Sequence, residues 1–244
     1  MTRKRKKLVV VKDPVKVASY VAEEVTKLSR DFVKMNGLFS LALSGGSTPK
    51  RLYELLGKDP YSLMIPWEFV HLFWVDERCV PPDSRESNYQ MINDALLKQL
   101  NLPSDNIHRI RVELGYKQAM NLYQRELRSF FHDNKRMFDL MILGVGKDGH
   151  TASIFPDSDF SKQTGRLVSS TEGNYEDRPG MRVTLSLNAI NSSKNIIFLV
   201  TGSEKAEIMK KIFHDRNQEL TASYVNPEQG SVEWVVDQEA AGLL

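Results

Sequence analysis

The sequence contains little of several features on which common classes of protein depend. It has one cysteine, Cys79, in 244 residues, so an intramolecular disulfide is excluded and a reducing compartment is favoured. No apolar run approaches the roughly 20 residues that a membrane-spanning helix needs. The basic segment 1–7 is followed by an apolar run of only four residues, 8–11, which is too short for a secretory signal peptide. We therefore expect a cytoplasmic protein that does not enter a membrane.

Patterns that would indicate metal-dependent or covalent catalysis are also missing. The five histidines are scattered without an H-x-x-x-H spacing, and one cysteine cannot build a thiolate site. No G-x-S-x-G segment is present, which argues against a serine hydrolase. No G-K-[ST] completes a Walker loop. We predict a protein without metal or cofactor.

The distribution of charge does not indicate a nucleic-acid-binding surface. The formal net charge is +2, and five of the basic residues lie within residues 1–7. The rest of the chain is nearly neutral to slightly acidic, whereas a nucleic-acid-binding protein needs basic residues over a whole face. We interpret residues 1–7 as a flexible, solvated tail, with contact to a polyanion as the alternative.

The order of apolar segments is typical of an α/β protein. Nearly continuous runs of Val, Ile, Leu and Phe predict strands that are covered on both faces, at 8–11, 39–44, 69–75, 138–145, 166–170, 195–202 and 232–236. Helices are predicted between the strands. One is capped by Asp13, one has Pro49 as its first residue and one is capped by Ser203, and two more span 88–100 and 115–131. This alternation predicts a single α/β domain over 1–244 with a mostly parallel sheet. The longest irregular region, 155–181, would suit a lid or a loop beside the site.

Three polar clusters follow predicted strands, at the carboxyl ends where open α/β sheets bind ligands. The first is the run Ser44, Gly45, Gly46, Ser47 and Thr48. Glycine allows backbone N–H groups to approach a ligand closely, and the start of the next helix supplies further free N–H donors. The run therefore fits either a phosphate-binding loop or a plain turn in which a hydroxyl caps the helix.

The second cluster begins with Asp76, Glu77 and Arg78, directly after an apolar strand, and extends to Asn88. Such a group is often a surface salt-bridge cluster. At the carboxyl end of a strand, Arg78 can instead make bidentate contacts to a phosphate or carboxylate.

The third cluster combines glycines with a candidate base. Asp148 and His150 flank one glycine, a spacing that allows the carboxylate to orient the imidazole, whose ordinary pKa suits a general base. A histidine satisfied by loop backbone is the alternative. Two further cations, Arg182 and Lys205, lie beside or after apolar strands and are either anion contacts or solvated surface charges.

Together these segments resemble the 6-phosphogluconolactonase family. The resemblance rests on SGGSTP (44–49), VDER (75–78) with SN (87–88), GVGKDGHTASIFP (144–156), RVTLSLNAIN (182–191), TGSEKA (201–206) and GSVEWVVDQEAA (230–241). The segments run in family order from about residue 8 to the end of the chain. The resemblance implies a three-layer Rossmann-like α/β domain that binds no nucleotide.

The related glucosamine-6-phosphate deaminases share SGGSTP and D-G-H with this chain. They typically carry D-E-Y-V, where this chain has Arg78, and a glutamate after the histidine segment, where it reads S-I-F-P-D (153–157). These differences favour the lactonase. This chain departs from the lactonase pattern at two places. The family often has a proline closer to the arginine, whereas here Pro179 lies three residues before Arg182. A proline commonly opens the segment that reads T-A-S at 221–223 in this chain.

The resemblance implies 6-phospho-D-glucono-1,5-lactone as substrate and 6-phosphogluconate as product. His150 would act as the general base on water and Asp148 would hold its tautomer. The 44–48 loop would bind phosphate together with Arg78, Lys205 and Arg182, while Asp76 and Asn88 would hold sugar hydroxyls or order the loop. A deaminase-like enzyme and a non-catalytic phosphosugar-binding regulatory module are the alternative functions.

Overall fold

The computed structural model describes residues 7–132, 137–156, 165–173, 180–215 and 220–244. The strands are β1 (Lys7–Val11), β2 (Phe39–Leu43), β3 (Val70–Trp74), β4 (Asp76–Arg78), β5 (Ile107–His108), β6 (Leu140–Leu143), β7 (Val168–Glu172), β8 (Met181–Leu185), β9 (Asn195–Val200) and β10 (Ser231–Asp237). The α-helices are α1 (Pro14–Asn36), α2 (Ser47–Leu56), α3 (Tyr61–Met64), α4 (Asn88–Ala95), α5 (Tyr116–Phe130), α6 (Leu187–Asn191) and α7 (Ala206–Lys210).

The strands form one large parallel sheet and one small antiparallel sheet. The large sheet has seven strands in the order β1-β10-β9-β6-β2-β3-β5, and each neighbouring pair is parallel. The small sheet has the order β4-β8-β7 and is antiparallel. The predicted mostly parallel, Rossmann-like α/β fold is confirmed. Each predicted strand segment contains a strand, although 166–170 contributes to the small sheet.

The apolar runs form strands because both faces of the large sheet are covered. All five residues of β2 and all four of β6 are buried, and α1 packs against β2, β9 and β10. Strands buried on both faces require continuous apolar sequence. The short strands β4 and β5 and the strand β8, in which apolar and polar residues alternate, lack this continuous pattern and were not predicted from the sequence.

The helix starts agree with the predictions only in part. Asp13 caps α1 as predicted, accepting a hydrogen bond from the Lys16 backbone N–H at 2.9 Å. The prediction that Pro49 opens its helix is wrong, because α2 begins two residues earlier, at Ser47, directly after the left-handed Gly46. Ser203 is not a cap either, since it lies inside a 3₁₀ turn, Ser203–Lys205.

The topology reverses direction between two neighbouring strands. From β2 the chain continues to β3 and β5 on one side, whereas from β6 it continues to β9 and β10 on the other. The connections that leave β2 and β6 therefore diverge and open a crevice at the carboxyl edge of the sheet. The two glycine-containing segments, 44–48 and 144–150, occupy this position.

The predicted flexible tail and the predicted irregular region fall partly outside the described residues. Of the predicted tail, residues 1–6 lie outside them, and Lys7 is the first residue of β1, where its Nζ lies 2.9 Å from Glu233 Oε1. Of the irregular region 155–181, residues 157–164 and 174–179 lie outside them, and the described part contains β7. None of the helices in the described ranges is long and apolar enough to cross a membrane.

Candidate active site

A cleft of about 370 Å³ opens at the point where the topology reverses. Its lining comes from the segments after β2, β6 and β9 and from the small sheet. Every predicted site residue except Asp148 lines it: Ser44, Gly45, Gly46, Ser47, Thr48, Asp76, Arg78, Asn88, His150, Arg182 and Lys205. Residues that are far apart in the sequence thus meet in one cleft.

Asp148 lies next to the cleft, outside its lining, and contacts His150. Its Oδ1 lies 2.6 Å from His150 Nδ1 and also accepts a hydrogen bond from the His150 backbone N–H at 3.2 Å. The contact between the carboxylate and the ring places the imidazole proton on Nδ1, so Nε2 of the neutral ring keeps its lone pair. This tautomer is the one that a general base at Nε2 requires.

The ionisation of Asp148 favours the same arrangement. Partial burial raises the pKa of the Asp148 carboxyl. The hydrogen bonds and the positive charge that His150 can supply lower it by more than burial raises it, so the pKa ends below its ordinary value. Asp148 is therefore an anion at neutral pH. An ionised carboxylate accepts the Nδ1 proton without competing for it.

Glycine is needed at one position of the turn that carries this pair. The Gly146 backbone N–H donates to the His150 carbonyl at 2.8 Å, and a Cβ built on Gly146 would collide with the His150 ring and with Asp148 Oδ1. The close packing of ring, carboxylate and backbone explains the first glycine of the segment G-K-D-G-H.

The 44–48 loop presents the start of α2 to the cleft. The helix begins at Ser47 after Gly46, which has a φ of 114° and supplies no side-chain cap. The first N–H groups of a helix have no intrahelical acceptor and form a natural anion site. Ser44 Oγ is buried in the same wall and has no hydrogen-bond partner within the described chain.

Four cationic side chains line the cleft, Lys147 and three that come from separate elements. Lys205 Nζ donates to the Val145 carbonyl at 2.9 Å, which ties the segment after β9 to that after β6. Arg78 on β4 donates through Nη1 to the Glu86 carbonyl at 2.8 Å. Arg182 on β8 is 3% exposed and stacks over the Phe155 ring at 5.2 Å. Two acidic residues, Asp76 and Glu204, line the same cleft, so its four cations give it a positive formal charge.

Several cleft contacts were not predicted from the sequence. Ser153 Oγ donates to Asp76 Oδ2 at 2.5 Å, and the hydroxyls of Thr48 and Thr201 lie 2.9 Å apart. Glu77 is buried beneath Arg78 and accepts several hydrogen bonds. All of these residues lie inside or directly beside the motif segments, but their pairing depends on how distant strands meet.

Among the residues that the structure describes, the donor set gives no site for a metal ion. Across the described ranges, no three His, Cys, Asp or Glu side chains cluster in a way that could hold one. Asp148 and His150 are engaged with each other, and Asp76 is engaged by Ser153.

Known proteins resemble this chain in sequence and in fold. The chain is 38% identical over 214 residues to the 6-phosphogluconolactonase of Synechocystis sp., covering 85% of each chain. It is 35% identical over 226 residues to that of Haemophilus influenzae, covering 90% of this chain and 95% of the relative. The crystal structure of 6-phosphogluconolactonase from Thermotoga maritima superposes with a TM-score of 0.82 at 33% identity, covering 95% of this chain and 100% of the other.

The model of one protein family covers most of the sequence. It is described as glucosamine-6-phosphate isomerases/6-phosphogluconolactonase and matches residues 12–234. The match includes every residue of the cleft, and the relatives above cover nearly the whole chain. The chain belongs to the glucosamine-6-phosphate isomerase/6-phosphogluconolactonase family.

Proposed function

We propose that this protein hydrolyses 6-phospho-D-glucono-1,5-lactone to 6-phospho-D-gluconate. One observation carries the proposal: the Asp148–His150 pair and the 44–48 loop with its cations line or adjoin one cleft. A phosphate site and a general base in one cleft fit a substrate that has a phosphate at one end and an electrophilic carbonyl at the other. The related proteins of Synechocystis sp. and Haemophilus influenzae carry the name of this activity.

The phosphate end of the substrate is held at the start of α2. Its charge is met by the first N–H groups of the helix, by the Ser44 hydroxyl and by Arg78, Arg182 and Lys205. This end is remote from the reacting carbon, so its binding energy serves to orient C1 next to His150.

At the carbonyl end, His150 activates water. Its Nε2 takes a proton from the water as the oxygen attacks C1, and the tetrahedral intermediate carries the negative charge on the former carbonyl oxygen. As the bond from C1 to the ring oxygen breaks, the imidazolium returns the proton to that ring oxygen. The products are the free acid and a hydroxyl on the sugar, so atoms and charges balance. General base catalysis of this kind contributes roughly 10²–10⁴-fold in rate.

Asp76 and Asn88 complete the wall between the two ends. Asn88 Nδ2 donates to the Asp76 carbonyl at 2.9 Å, and Ser153 holds one carboxylate oxygen of Asp76. Asn88 Oδ1 is buried and has no hydrogen-bond partner in the described part of the chain. We assign Asp76 and Asn88 to the sugar hydroxyls.

The test is the loss of freshly generated lactone, coupled to 6-phosphogluconate dehydrogenase, for the wild type and for His150→Ala. Because the lactone also opens spontaneously, the rate is taken above a blank without enzyme. We expect acceleration by the wild type, a kcat that falls roughly 10²-fold or more in the variant, and a KM within a few fold.

Glucosamine 6-phosphate serves as the parallel substrate. Ammonia release without lactone turnover would identify a deaminase instead. Phosphosugar binding without either activity would identify a regulatory module.

A further inference from the structure

The carboxylate of Glu77 joins two elements of the cleft wall from behind. Glu77 lies in β4, is 1% exposed and does not line the cleft. Its Oε1 accepts from the backbone N–H groups of Arg78 at 2.8 Å and Asn88 at 2.7 Å. Its Oε2 accepts from the Tyr89 backbone N–H at 2.7 Å and from Ser87 Oγ at 3.1 Å. Both oxygens are therefore occupied by donors.

Three of these donors belong to the start of α4. Ser87 is its N-cap, with Oγ accepting from the Gln90 N–H at 3.2 Å, and Asn88 and Tyr89 are its first two residues. The first N–H groups of a helix lack intrahelical acceptors and favour a negative charge. Glu77 supplies both the acceptors and the charge, which fixes α4 to β4 across the intervening segment 79–86.

This attachment fixes the two cleft residues that flank it. Asn88 is held at its backbone by Glu77 and packs against Gly45, where any side chain would collide with the Asn88 amide. Arg78 is held at its backbone by the same carboxylate, and its guanidinium donates to the Glu86 carbonyl. The distance between Arg78 and the 44–48 loop thus depends on Glu77.

We propose that Glu77 is a positioning residue for the phosphate end of the cleft and the wall beside it. It acts through Arg78, assigned to the phosphate, and through Asn88, assigned to the sugar hydroxyls, without touching the substrate. The proposal rests on the proposed function in that it takes the 44–48 loop as the phosphate site. It differs from a purely structural role because it predicts a change in substrate binding that exceeds the change in the chemical step.

The decisive variant is Glu77→Gln, which keeps the shape of the side chain. The amide has one oxygen acceptor, and its NH₂ group has to face the Tyr89 N–H or the Asn88 N–H, so a donor meets a donor. Hydrogen bonds to charged groups contribute enough that we expect KM for the lactone to rise about tenfold or more, with kcat within about threefold. Burial raises the pKa of Glu77 to about 7 against the backbone hydrogen bonds that lower it, so the assay is run at pH 8, where the carboxylate is mostly ionised.

The matched control is Asp139→Asn, at the opposite, amino end of the sheet. Asp139 is also a buried acid, accepting from the Ser40 N–H and hydroxyl and from Lys194 Nζ. This variant is expected to lower the temperature of unfolding while leaving KM unchanged. A KM that rises equally in both variants, or in neither, would overturn the proposal.

Two additions keep the test decisive. Should Glu77→Gln fail to fold, Glu77→Asp is measured instead. The aspartate keeps the charge but is too short to reach all four donors, so KM is again expected to rise. An unchanged KM would count against the proposal.

Calorimetric titration with 6-phosphogluconate reports binding without turnover. Weaker binding by Glu77→Gln, with no lactonase activity in the wild type, would support the positioning role and refute the proposed function.

Discussion

Arg78 and Arg182 lie directly opposite each other in the antiparallel pair of β4 and β8. Opposed positions of an antiparallel pair project to the same face of the sheet, and like charges placed there destabilise the pair. Both residues line the cleft. A bound anion between or beside them would offset the repulsion, as the proposed function requires.

The opposed arginines predict stabilisation by phosphate. Adding inorganic phosphate is expected to raise the Tm of the wild type in a concentration-dependent manner, because a ligand that binds only the folded state stabilises it. Arg182→Met and Arg78→Met are each expected to reduce this shift and to raise KM for the lactone, as followed by thermal unfolding and the coupled assay. An equal phosphate response in all three proteins would show that the anion binds elsewhere.

The position of these arginines marks the limit of what the sequence could predict. The apolar strands and the glycine-rich segments after them were predicted because a buried parallel strand requires continuous apolar sequence and its carboxyl end is a ligand site. The strands β4 and β8 were not, since D-E-R and M-R-V-T-L lack that pattern. The pairing of Arg78 with Arg182 spans more than a hundred residues and is set only by the tertiary fold.

Glu77 illustrates the same limit in a single residue. In the sequence it is half of an acid pair beside an arginine, which is typical of an exposed salt-bridge cluster. In the structure its partners are backbone N–H groups at the start of α4, about ten residues later. Hydrogen bonds to backbone leave no signature in the identity of the donor residues, so residue types alone could not distinguish a buried acceptor from a surface charge.

The buried carboxyl of Glu77 predicts a pH dependence of stability. Burial, with a smaller contribution from the charge of Asp76, raises its pKa from 4.5 to about 7, so the folded state binds the proton more tightly than the unfolded state. The resulting stabilisation is complete below pH 4.5 and is lost as the pH rises through about 7. A difference of this size corresponds to about 3 kcal/mol.

This dependence is isolated by comparison with Glu77→Gln, which does not titrate. Denaturant unfolding of both proteins at pH 5 and pH 8 gives the difference in their free energies of unfolding. We expect the wild type to lose stability relative to the variant between these two values. A difference that stays constant, or that changes in the opposite direction, would show that the carboxyl is ionised throughout.

Substitution of Gly45 is expected to affect the phosphate end of the cleft. A Cβ at Gly45 would occupy the space of the Asn88 side-chain amide, and Asn88 is confined by its hydrogen bonds to Glu77 and Asp76. The 44–48 loop has to move, so Gly45→Ala is expected to raise KM for the lactone strongly while affecting kcat less. Steady-state kinetics give both constants, and a variant with normal KM would show that the loop does not hold the substrate.

Substitution of Gly146 is expected to affect the opposite end. A Cβ there would collide with the His150 ring and Asp148 Oδ1, so Gly146→Ala displaces the base from its carboxylate and is expected to lower kcat with KM within a few fold. If Gly146→Ala raised KM and Gly45→Ala lowered kcat instead, the phosphate and carbonyl ends would have been assigned in the wrong order.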